Sequence, residues 1–314
     1  MPTSPPSAPT STGAPSGVPP ATAGQPDHPE HPAKARGHVP VAGSSLALAL
    51  ALVPAPRRPA LALWLRWWHE VSRIPLSVQD PGVAETKLGW WRQELAEVAQ
   101  GRARHPLMRE WLALPTDDTA TLPWAWWQQQ LDGLTQLTQQ TRWMDEASLQ
   151  RHALQTTGNA CSVAAHLLGA HSDAAIIAAR TLGQGLRQAH MLARLGQDAR
   201  AGWVMVGIDW LQAHDVRAHQ LSRPEKPMPA GWAALLAALH QRARATLTQA
   251  LAEVHALPSA DRRALRPLVY LAHASLALAD AVHASGETVL HQRILLTPLR
   301  KGWMAQQLRW GWLR

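Results

Sequence analysis

The side chains best suited to chemistry in this sequence are cationic. Of its 30 Lys and Arg residues 26 are Arg, set against 22 Asp and Glu, for a formal net charge of +8. Guanidinium groups present forked donors that match the oxygens of phosphates and carboxylates. The charge balance therefore points to anionic partners such as diphosphates or lipid headgroups. No run of Lys or Arg exceeds two residues and no nucleic-acid module is legible, so nucleic acid is not an expected partner. Metal chemistry has few donors. Cys161 is the single cysteine, which excludes a disulfide framework and a multi-cysteine zinc site and suits a reducing compartment. His28-Pro29-Glu30-His31 has the spacing of a metal clip, but it lies in a Pro-rich stretch and is expected to be solvated. Near the other end, Arg300, Lys301, Arg309 and Arg314 are interleaved with Trp303, Trp310 and Trp312. Trp beside Arg suits a membrane interface, although the apolar positions run most of the way round this helix and burial in a core competes.

The elements that must position these groups are helical. Residues 1–42 are expected to form a disordered tail, since residues 1–40 hold 11 of the 25 prolines with Ser, Thr, Ala and Gly between them. Asp27, Glu30, Lys34 and Arg36 cancel, so the whole +8 belongs to the folded part. No basic residue precedes Lys34, and the apolar run 46–53 is cut by Pro54 and Pro56. Neither a secretory signal nor a span of the ~20 apolar residues a bilayer needs is expected. Residues 43–314 read as one domain. Apolar residues at helical spacing mark segments at 57–72, 82–99, from about 123, from 145 to about 168, from Ser172 to about 197, at 230–255, from Pro258, and a last helix with Leu299, Trp303 and Leu308. Pro75 is expected to end its helix. No convincing strand appears; residues 203–206 form the only β-like run. The fold class is all-α. The small residues of the middle helices, among them Gly158, Ala179, Gly183 and Gly185, serve either close packing or a ligand cavity.

Five motifs then follow in order. Gly43-Ser44-Ser45-Leu46 leads to Pro54-Ala55-Pro56-Arg57-Arg58. Lys87-Leu88-Gly89-Trp90-Trp91-Arg92-Gln93-Glu94-Leu95 is followed by Gly101 and His105-Pro106. Next come Asp198-Ala199-Arg200-Ala201-Gly202, then Ala243-Arg244 with Leu257-Pro258 and Gly286, and finally Arg293-Ile294-Leu295-Leu296-Thr297 with Lys301. In this order the chain, from about residue 44 to 303, resembles the squalene/phytoene synthase family, and the Trp-Trp-Arg stretch is the most specific match.

The resemblance implies an isoprenoid-synthase-like helical bundle around a central cavity, in which two prenyl diphosphates are joined head to head. It also implies Mg²⁺ held by two aspartate-rich motifs. Hard oxygen ligands bind that ion, which neutralises the departing diphosphate. By the same resemblance Ser45, Arg58, His69, Arg73, Arg194 and Arg200 are candidate substrate-binding residues, while Glu70 and Asp198 are the carboxylates left for metal. The first motif reads His69-Glu70-Val71-Ser72-Arg73-Ile74-Pro75-Leu76, with Ser72, Arg73 and Leu76 at acidic places. The second reads Ala193-Arg194-Leu195-Gly196-Gln197-Asp198, with Arg194 at its first aspartate. Arg does not ligate Mg²⁺ and repels it, so both motifs are incomplete. Two functions follow: a diverged prenyltransferase, or a non-catalytic assembly or scaffold protein of the same fold, akin to a mitochondrial complex I assembly factor. The expected partner is a prenyl diphosphate or an anionic lipid, and the expected location is cytoplasmic with a peripheral membrane contact.

Overall fold

Ser44 starts the first helix by accepting the Ala47 N–H at 3.1 Å, which satisfies one of the open donors at the N-terminus of α1 (Ser45–Leu50). The computed structural model describes residues 40–78, 80–115 and 123–313. The expected tail lies outside these residues as far as position 39, and so do the His28–His31 spacing and Arg314. All described residues fall within one compact unit.

A 3₁₀ turn (Ala55–Arg57) leads into α2 (Arg58–Ser77). Trp64, Trp67, Val71 and Ile74 recur at spacings of three and four and form its buried face. Pro75 does not end this helix. It lies in the last turn, where it forfeits one backbone bond, and the helix closes through the Val78 N–H to the Ile74 carbonyl at 3.1 Å. Asp80 caps α3 (Pro81–Val98), and α4 (Pro106–Leu112) and α5 (Trp124–Gln139) complete the first half. Between them sits an aromatic cluster. Trp67 lies 4.3 Å from Trp127 and 6.4 Å from Trp91, and Trp127 lies 5.2 Å from Trp111. All four are buried.

The second half begins at Asp145, which caps α6 (Glu146–Ala153). The segment expected to run unbroken to about 168 contains a π-helical turn (Leu154–Gly158) before α7 (Asn159–Leu167). Ser172 caps α8 (Asp173–Ala193), as the sequence indicates. This helix breaks at Arg194, earlier than expected, and resumes as α9 (Leu195–Arg200). The small residues are used for close approach: a Cβ on Gly183 would stand 2.3 Å from the Thr157 carbonyl oxygen, and one on Gly185 2.7 Å from the Leu247 side chain. The β-like run does form a strand. β1 (Arg142–Trp143) pairs in parallel with β2 (Val204–Gly207), and the buried Glu146 carboxylate accepts the Gly207 N–H at 2.9 Å. Two such short strands leave the all-α class intact.

Then come α10 (Ile208–Ala213), α11 (Ala218–Ser222), α12 (Trp232–Ala256), α13 (Ser259–Ala264), α14 (Arg266–Ser285), α15 (Thr288–His291) and α16 (Pro298–Trp310). Among the described residues, α14 is the one helix long and apolar enough to cross a membrane, with mean hydropathy 1.2. Here it packs on α8 and α12 and buries Tyr270, Ala272, Ala279 and Val282. Helix α7 packs against both α2 and α8, which form two walls beside it.

Candidate functional site

The Trp-Trp-Arg stretch on α3 is architecture. Trp91 is core, Arg92 donates through Nε and Nη2 to Asp132 and through Nη2 to Thr135 of α5, and Glu94 is buried. One Glu94 oxygen accepts the backbone N–H of Arg104 at 2.8 Å and of His105 at 2.7 Å, which fixes the turn into α4. Charge-assisted bonds to backbone N–H are among the stronger ones, so this turn is well held.

The other candidates distribute as follows. Ser45 hydrogen-bonds the buried Tyr270, whose hydroxyl donates to the Lys301 carbonyl at 3.1 Å and whose pKa is pushed up to about 12, chiefly by burial. Arg58 Nε donates to the Val53 carbonyl at 2.9 Å. On α2, Glu70 lies 3.6 Å from His105, while His69 and Arg73 meet at 3.4 Å. Arg194 holds Asp198 through Nε at 3.0 Å and Nη2 at 2.9 Å. Arg200 donates to the Leu290 carbonyl. Of these residues, the structure brings Arg194 and Asp198 together on one wall, and His69, Glu70 and Arg73 within one turn of the other. Among the described residues, no three His, Cys, Asp or Glu side chains converge as a metal site.

Two residues absent from the sequence reading complete the α8 wall. Arg187 and His190 stand three residues apart, with Arg194 four further on, so the three share one helix face. The His190 side chain is solvent-accessible within a dense protein surround. Its pKa is pushed down to about 3, first by burial and then by Arg187, Arg194 and Arg293. Burial also lowers the pKa of Arg187, with Asp198 pulling the other way and Arg194 adding to the effect; its Nε has no hydrogen-bond partner. One carboxylate, Asp198, thus serves two guanidinium groups, Arg194 and Arg187, beside a neutral imidazole. Such a set has surplus donors for a multiply charged oxyanion, and at neutral pH His190 has no proton to give beyond its one N–H. The signal for these residues was available as the spacing 187, 190, 194 within an otherwise small-residue helix.

Buried charge elsewhere is structural. Glu146 pairs with Arg242, which also lies 4.7 Å over the Trp210 ring, and burial raises the Glu146 pKa despite that arginine.

The squalene/phytoene synthase family model matches residues 39–300. No curated protein matches the sequence. Among solved structures, a dehydrosqualene synthase crystallised in complex with ligand superposes with a TM-score of 0.68 at 15% identity, over 85% of this chain and 91% of that one. Squalene synthase HpnC from Alicyclobacillus acidocaldarius gives 0.68 at 16% identity, over 76% and 88%. At such identities these likenesses speak to the fold.

Proposed function

The chain belongs to the squalene/phytoene synthase family, and from that premise we propose that its cavity binds a prenyl diphosphate through guanidinium groups, with Mg²⁺-dependent condensation weak or absent. The family uses Mg²⁺, but the residues here do not suit it. Asp198 is claimed by Arg194, Glu70 lies beside His105, and the remaining groups on the α8 face are cationic or neutral. The observation that carries the proposal is the gathering of Arg187, Arg194 and Arg293 around His190, with the Arg187 Nε buried and unpartnered. Guanidinium groups gathered in this way can compensate a diphosphate without a bridging ion. Arg73, Arg200, Arg58, His69 and Ser45 remain candidates for the rest of the substrate path.

The same shortage of free carboxylates favours the second reading, a binding or scaffold protein of this fold. The test is incubation with farnesyl or geranylgeranyl diphosphate, with and without Mg²⁺, following diphosphate release. The proposal expects release at or near background; vigorous metal-dependent turnover would refute it. Trp303, Trp310 and Trp312, all exposed, support a peripheral membrane contact at α16 by a cytoplasmic protein.

A further inference from the structure

Beside the exposed tryptophans lies a groove that none of the family motifs uses. It encloses about 570 Å³ between the end of α12, α13, the start of α14 and the end of α16. One side is apolar, formed by Leu251, Val254 and Leu313. The other carries Arg262, Arg263 and Arg266, and no Asp or Glu lines the groove. Arg266 is half-buried and fixed: its Nη2 donates to the Leu308 carbonyl at 2.5 Å and the Arg309 carbonyl at 2.9 Å. Arg262 and Arg263 are exposed and reach only nearby carbonyls, at 3.4 Å and 3.2 Å. Trp310 stands in the groove wall, with Trp303 at 5.7 Å and Trp312 at 4.8 Å.

We propose that this groove seats an anionic phospholipid at a membrane surface. The phosphate would meet the guanidinium groups of Arg262 and Arg263, with Arg266 adding fixed positive charge behind them. An acyl chain would run along Leu251, Val254 and Leu313. The three tryptophans would enter the headgroup region beside it, where amphipathic rings are favoured. Charge complementarity decides the occupant: a neutral chain would leave three guanidinium groups uncompensated, and a soluble anion would leave the apolar side exposed. The inference rests on the membrane contact at α16 and gives that contact a lipid preference.

The test is flotation of the full chain with vesicles of phosphatidylglycerol in phosphatidylcholine and with phosphatidylcholine alone, comparing wild type, R262E/R263E and the neutral R262Q/R263Q. The expected result is flotation with the anionic vesicles, a blue shift of Trp emission, and a tenfold or larger loss in the charge-reversed variant with the unfolding temperature unchanged. The neutral variant should fall between. Wild type and both variants floating alike would overturn the groove as the lipid seat while the α16 contact stands. Equal flotation on neutral vesicles would overturn the lipid preference. No flotation of wild type would overturn both.

Discussion

The wall of α2 and α5 and the wall of α8 both pack on the same helix, α7, yet they are made of opposite materials. The first is closed by indole rings packed ring to ring, with Trp67 and Trp127 fully buried. The second gathers Arg187, His190 and Arg194 and fixes Asp198 against an arginine. Aromatic burial stabilises in proportion to area removed from water, whereas enclosing several cations costs stability unless an anion arrives. The first wall is thus suited to holding the fold together, and the second to receiving a charged ligand.

Substitutions on the two walls should separate accordingly. The largest effect is expected for Trp127→Ala, which empties a site touching three other rings; chemical denaturation should show a loss of about 3–5 kcal/mol. Gly183→Ala comes next. The new methyl group meets the Thr157 carbonyl oxygen, so a loss of about 1–3 kcal/mol is expected. His152 on α6 lies tilted against Trp143, with ring centroids 4.8 Å apart, and senses Arg187. Burial, then Arg187, pushes its pKa down to about 3 from 6.5. Between those values the unfolded chain binds a proton that the native state refuses, so stability falls as pH drops below 6.5, by about 1.4 kcal/mol per unit from this group. Thermal melts from pH 7 to pH 5 should fall less steeply in His152→Leu than in wild type; parallel curves would count against this account. The smallest effect belongs to Glu70→Gln, for which unfolding should shift by at most about 0.5 kcal/mol and diphosphate affinity should not change.

The helices were legible because their apolar residues repeat at three and four, as Trp64, Trp67 and Val71 do on α2, and because Ser172 marks a helix start. Three features were hidden for physical reasons. Pro75 sits where only one backbone bond is lost, a matter of position within the last turn. The π-helical turn at 154–158 depends on the approach of Gly183 from a distant segment. The strand at 204–207 exists because residues 142–143 and the Glu146 carboxylate lie across from it. On the site, the missing carboxylates could be counted in the sequence, whereas Arg187 and His190 join Arg194 only when the helix face and the enclosing neighbours are seen together.

The most direct test of the central claim is calorimetric titration of farnesyl diphosphate in EDTA, comparing wild type with R187Q/R194Q. The account predicts binding without metal and a loss of at least tenfold in the double variant, whose fold is retained. Binding that appears only when Mg²⁺ is added, or that is equal in the two proteins, would contradict it.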